Sequence, residues 1–218
     1  MAECVLRVQN LRKAYRGREA LTGVSFHLEA GCAAALTGPE GAGKTTLIRI
    51  LAGQVFPETG TVSLFGSRNQ RELREARQRT GFLLDSPGGY PLRSLEKNLV
   101  LAAALYGKPD AAYIRQLRHE LGLTRAEQID RRMPFLRLPQ GQRELCAIAA
   151  VLAHKPRLLI LDEPLLGLNG KSAERLAAVL GRLREEGAAI LLTGEDTEAL
   201  RPLCTRAFRL EAGVLREE

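Results

Sequence analysis

The sequence predicts an α/β fold: a mixed-sheet core, an antiparallel β region at the N-terminal end and a helical subdomain inserted midway. Three observations carry this. A glycine-rich loop, Gly38 to Thr46, stands between a short apolar run and a helical pattern. A second apolar run, Leu158 to Leu161, ends in Asp162-Glu163-Pro164. Between them, residues 90 to 155 show helical patterns and no strand pattern.

The elements follow in order. Val5, Leu6 and Val8 suggest a first strand, and Leu21, Val24, Phe26 and Leu28 a second, with Gly17 in the turn between. Tyr15 lies beside Lys13 and Arg16. An aromatic there suits stacking on an adenine ring, and equally suits a half-exposed strand. Cys32 to Thr37 reads as a strand, Thr45 to Leu51 as a helix, and Pro57 to Gly60 as a turn. Thr61 to Phe65 is a short strand, Arg71 to Arg79 a polar helix, and Gly81 to Leu84 a strand. Asp85-Ser86-Pro87-Gly88-Gly89 is the strongest breaker and marks a subdomain boundary. Helices are expected over Leu95 to Leu105, Ala111 to Leu121 and Gln140 to His154. After Asp162 and Glu163 come a helix, Ser172 to Glu186, a strand, Ala188 to Thr193, and a closing segment, Phe208 to Leu215.

The loop Gly38-Pro39-Glu40-Gly41-Ala42-Gly43-Lys44-Thr45-Thr46 fits G-x-x-x-x-G-K-[ST]. Its glycines let several backbone N–H groups face one phosphate. The following helix adds unpaired N–H donors and its positive dipole end. Lys44 supplies a charge for the β- and γ-phosphates, and the Thr45 hydroxyl suits Mg²⁺. A buried strand that ends in acids presents them where open α/β sheets place ligands. There Asp162 suits Mg²⁺ held through water, and Glu163 suits activation of an attacking water. ATP and Mg²⁺ are therefore the expected ligands.

Composition narrows the partners. Of 218 residues, 45% are hydrophobic and 26% charged, as in an ordinary globular protein. The start, Met1 to Cys4, lacks a signal-peptide core, and no run approaches the ~18 apolar residues of a membrane span. A cytoplasmic protein is expected. The cysteines at 4, 32, 146 and 204 and the three histidines are scattered, which argues against disulfides and an all-protein metal site. The net charge of +7 raises nucleic acid as a partner. Yet aromatics are 5%, and the densest basic stretch, Arg71 to Arg79, carries Glu72 and Glu75. A solvated helix face suits it better, and no nucleic-acid partner is expected. Anionic lipid or an acidic partner stays open.

The two motifs, their order and their separation resemble the ATP-binding subunit of ABC transporters over nearly the whole chain. The resemblance makes Gly38 to Thr46 the Walker A loop and Leu158 to Glu163 Walker B. It implies a P-loop ATPase of ABC type in one domain: 1–85 and 156–218 as core, 86–155 as helical subdomain. It also implies a second ABC ATPase subunit, with two ATPs sandwiched in the dimer, and a separate membrane permease that holds the chain at the inner face of the membrane.

Four motifs depart from the family pattern. The L-S-G-G-Q signature, which in the family clamps the γ-phosphate bound to the other subunit, reads Leu138-Pro139-Gln140-Gly141-Gln142. The Q-loop glutamine falls on Asp85; Gly81-Phe82-Leu83-Leu84-Asp85 resembles exporters of antibiotics and antimicrobial peptides, and the acid suits contact with Mg²⁺. The D-loop aspartate falls on Asn169 and the switch histidine on Gly194. The resemblance thus implies an exporter ATPase with slow or asymmetric hydrolysis. The competing expectation is a nucleotide-dependent switch or regulatory half of a heterodimer. A soluble ABC protein acting on DNA or the ribosome ranks last, because this chain has neither two cassettes nor a long coiled-coil insert.

Overall fold

The computed structural model describes residues 3–84, 89–124, 132–195 and 197–218. Contacts divide the chain into two compact units: residues 1–84, 157–163 and 183–218, and residues 85–156 and 164–182.

The first unit holds two sheets. Strands β1 (Cys4–Tyr15), β2 (Arg18–Glu29) and β4 (Thr59–Leu64) form an antiparallel sheet in the order β2-β1-β4. Over Leu6 to Val8 and Val24 to Leu28 alternate residues face the core, so Leu6, Val8, Val24, Phe26 and Leu28 are buried while Arg7 and His27 are not; irregularities in the β1–β2 register break the alternation elsewhere. The second sheet contains β3 (Ala33–Thr37), β5 (Thr80–Leu83), β6 (Leu158–Leu161), β7 (Ala189–Gly194), β8 (Arg206–Glu211) and β9 (Val214–Glu217). Its order is β5-β6-β7-β3-β8-β9, parallel except for the β8–β9 pair.

The central strands β3 and β6 are buried at every residue. This explains their near-continuous apolar runs, Ala33 to Leu36 and Leu158 to Leu161, which differ from the alternation of a one-faced strand. Helices α1 (Lys44–Ala52) and α2 (Gln70–Arg77) complete this unit. Leu47, Ile48 and Leu51 of α1 join Leu36, Ile160, Leu191 and Leu6 in one apolar core.

The second unit is helical. It contains α3 (Leu95–Ala104), α4 (Ala111–Glu120), α5 (Gln140–Leu152) and all but the last turn of α6 (Gly170–Glu185). Ser94 caps α3 by accepting from the Lys97 N–H, and Asp110 caps α4 by accepting from Ala112 and Tyr113. Buried Asn98 satisfies its amide on the backbone of Tyr90, Arg93 and Ser94, tying α3 to the preceding loop.

Two details were not readable from the sequence. The closing segment is a hairpin, β8 and β9, where one run had been expected. Residues 164–182 group with the helical unit although the sequence placed them with the core; Arg182 of α6 pairs with Glu120 of α4 at 2.8 Å. Among the described residues, 90–155 contain three α-helices and a 3₁₀ turn, Phe135–Arg137, with no strand.

Candidate functional site

The site is built where β3 runs into α1. The buried strand delivers the chain to Gly38, and α1 begins at Lys44. Two glycines are sterically required. Gly38 has φ +149, and a Cβ there would lie 2.1 Å from the Leu210 carbonyl oxygen. Gly43 has φ +111, and a Cβ there would meet the Ala20 carbonyl oxygen at 2.3 Å. The loop is thus pressed against the strands around it by its own backbone. The first turn of α1 leaves N–H groups without intrahelical partners, which makes an anion site at the loop's end.

Lys44 is buried, at 7% exposure, with its charge held by the loop. Its Nζ donates to the Gly38 carbonyl at 2.5 Å and the Pro39 carbonyl at 3.1 Å. A cavity of about 190 Å³ opens beside the loop. It is lined by Glu40 to Thr46 together with Ala20, Glu163 and Glu195. The geometry therefore brings together the loop, Lys44, Thr45, Thr46 and Glu163, which lie more than 100 positions apart in sequence.

The two acids stand at the end of β6. The Asp162 N–H donates to the Leu83 carbonyl at 2.9 Å, extending β6 along β5. Glu163 turns out of the sheet with φ +47, a left-handed conformation uncommon for a residue with a side chain. Its N–H donates to the Thr193 hydroxyl at 2.9 Å, and that hydroxyl donates to Asp162 Oδ1. The candidate donors are oxygen throughout: Thr45, Thr46 and Glu163 line the cavity, and Asp162 directly precedes Glu163 without lining it. Such oxygens suit Mg²⁺, which is bound by one or two carboxylates with phosphate and water. Among the described residues no group of three His, Cys, Asp or Glu could hold a metal alone.

The other expected residues are placed as follows. Tyr15 ends β1, 46% exposed, with Lys13 Nζ 5.1 Å from its ring centre; it does not line the loop cavity. Asp85 lies outside the described residues. Gly194 closes β7 opposite Thr37. In the helical unit, Pro139 stands at the N-cap of α5 with no side-chain cap, its carbonyl accepting from Gln142 and Arg143 at 3.0 Å. Asn169 Oδ1 accepts from the Ser172 N–H at 2.9 Å, at the start of α6. The sequence reading missed Ala20, Glu195 and Thr193. Glu195 had a legible signal, since it follows a buried strand as Glu163 does. Thr193 reaches the site through strand order, and Ala20 through the packing of β2 against the loop.

The fold and this site define an α/β nucleotidase with an inserted helical unit. The family model described as ABC transporter matches residues 21–166, and the chain belongs to that family. It is an ATP-binding subunit and an ATPase. It is 30% identical over 217 residues to the linearmycin resistance ATP-binding protein LnrL of Bacillus subtilis, covering 97% of this chain and 68% of that protein. It is 33% identical to the sulfate/thiosulfate import ATP-binding protein CysA of Bordetella parapertussis, covering 97% of this chain and 61% of that one. Similar solved structures include an ATP-binding subunit of an ABC transporter, with TM-score 0.86, 28% identity and coverage of 98% and 90%. The dimeric post-hydrolysis cassette MJ0796, bound to ADP and Pi, has TM-score 0.82, 26% identity and coverage of 98% and 97%.

Proposed function

We propose that this chain hydrolyses ATP to power an exporter, working with a second ATP-binding subunit and a membrane permease. The permease would hold it at the inner face of the membrane; among the described residues no helix is long and apolar enough to cross one. The carrying observation is the cavity in which the loop, Lys44 and Glu163 meet. The loop from Gly38 to Thr46 binds the phosphates through backbone N–H groups, and Lys44 turns its charge from the loop carbonyls toward them. Thr45 and Asp162 would hold Mg²⁺, which would supply charge neutralisation at the phosphates; Asp85 is a further candidate ligand. Glu163 accepts the proton of the attacking water. Tyr15 is the candidate adenine contact.

Export is favoured by the acidic Asp85 after Gly81 to Leu84, and it suits the likeness to LnrL, a resistance protein by name. CysA, an importer by name, is as similar, so direction rests on Asp85.

The test is ATP turnover beside ATP binding in the chain, Lys44→Ala and Glu163→Gln. Turnover that both substitutions abolish, with binding kept in Glu163→Gln, supports the motor. Lys44-dependent binding with turnover no greater than in Glu163→Gln, even after candidate partner subunits are added, supports the nucleotide switch instead. Pro139, Gln140 and Gly194 favour that second reading, because each lacks the group the family pattern places there.

A further inference from the structure

We propose that Thr193 is a positioning residue that holds both site acids in working orientation through one hydroxyl. The inference rests on the reading of Asp162 as a Mg²⁺ ligand and Glu163 as the base. It concerns a residue that neither the loop motif nor the acid motif contains.

A hydroxyl has one proton and two lone pairs. At Thr193 the proton goes to Asp162 Oδ1, and an oxygen lone pair takes the Glu163 N–H at 2.9 Å. Thr193 is itself built into the sheet: it is 1% exposed, and its backbone pairs with Leu36. The hydroxyl thus ties both acids to a buried strand of the sheet.

Each bond has a distinct consequence. β6 pairs with β7 up to Leu161 opposite Leu192, and there the backbone ladder stops. The Thr193 side chain supplies the next contact, anchoring Glu163 by its amide while φ stands at +47. An unanchored residue before Pro164 would relax toward extended backbone, swinging its carboxylate out of the loop cavity. The bond to Asp162 engages one of its two carboxylate oxygens and fixes the direction of the other. Carboxylates that ligate metal are ordinarily oriented by such partners, and removing one typically costs 10- to 100-fold in metal affinity or activity. Thr193 gains weight here because its neighbour is Gly194, which offers no side chain at the strand end.

The experiment compares Thr193→Val, which keeps the shape and loses the hydroxyl, with Thr193→Ser, which keeps the hydroxyl, and with Asp162→Asn. ATP affinity in EDTA reports the loop and the fold. The Mg²⁺ concentration that half-saturates the nucleotide complex reports Asp162 without requiring turnover, and kcat is read in parallel. Thr193→Val should bind ATP normally in EDTA, need roughly 10- to 100-fold more Mg²⁺ and lose kcat. Thr193→Ser, which keeps the hydroxyl, should keep both close to the values of the unaltered chain. If Thr193→Val does not bind ATP in EDTA, Thr193→Ala is read in its place. A Mg²⁺ requirement shifted in Asp162→Asn but unchanged in Thr193→Val overturns the proposal alone, as does a Thr193→Ser variant as impaired as Thr193→Val. An unshifted Asp162→Asn overturns the metal-holding reading and this proposal with it. Absence of turnover in the unaltered chain removes the motor and leaves the Mg²⁺ comparison to decide Thr193.

Discussion

Replacing Gly43 by alanine tests whether backbone contact, rather than flexibility, dictates the glycines of the loop. At φ +111 any side chain is strained, and strain of this kind costs about 1–3 kcal/mol. The added Cβ would also sit 2.3 Å from the Ala20 carbonyl oxygen and 3.1 Å from Leu21 Cδ2. Backbone has to move, and forcing atoms into a packed site costs about 1–3 kcal/mol more. The combined loss is about 2–6 kcal/mol, or about 4–24 °C in melting temperature for a chain of this size. Gly41 is the internal control. Its φ is +74, but a Cβ there meets nothing within 4 Å. Gly41→Ala should lose only about 1–2 kcal/mol, or about 2–8 °C. Displacing one loop N–H from a phosphate should weaken ATP binding roughly 10- to 150-fold in Gly43→Ala, since such a bond contributes about 1.5–3 kcal/mol. Thermal melts and ATP titration of both variants decide it. A Gly43→Ala protein that melts no lower than Gly41→Ala and binds ATP normally would refute the steric account.

Three further predictions concern other parts of the chain. The Lys155 ammonium, 2.8 Å away, and the Tyr113 N–H hold the Asp110 carboxyl down at about 2. Its folded value is depressed, so its contribution to α4 is full above the ordinary Asp value of about 3.9 and is lost as pH falls toward 2. Carbon NMR titration of Asp110 checks this, and Lys155→Met should raise its midpoint. Burial pushes the Cys146 and Cys204 thiols up to about 12, so little thiolate exists near neutrality. Mass spectrometry after iodoacetamide at pH 8 should find both unmodified in native protein and modified in denaturant. Pro139→Ser should give α5 the cap it lacks, about 0.5–2 kcal/mol less about 0.4–1 kcal/mol for the freer unfolded chain. Turnover raised at least tenfold in that variant would make the missing signature hydroxyl the limiting group; a stability gain with unchanged turnover would not.

What the sequence disclosed of this site depends on how each residue reaches it. Gly38 to Thr46 announces itself because strand, loop and helix are consecutive, and the steric demand on Gly38 and Gly43 leaves glycine as the residue that fits. Asp162 and Glu163 were legible because a strand buried on both faces must be apolar throughout, which makes the acids at its end conspicuous. Thr193 had no such mark. It closes an apolar run as an ordinary β-branched strand residue, and its meaning comes from β7 lying beside β6, a pairing that no local pattern encodes. Ala20 is hidden for the same reason, contributing only a carbonyl brought to Gly43 by tertiary packing. Asn169 shows the opposite case. Its side chain caps α6, but aspartate caps a helix about as well. Local structure therefore accounts for a short polar acceptor at 169 and not for the loss of charge there. The element boundaries and the phosphate loop follow from local chemistry. The coupling of the two acids is a property of strand order, visible only once the sheet is assembled.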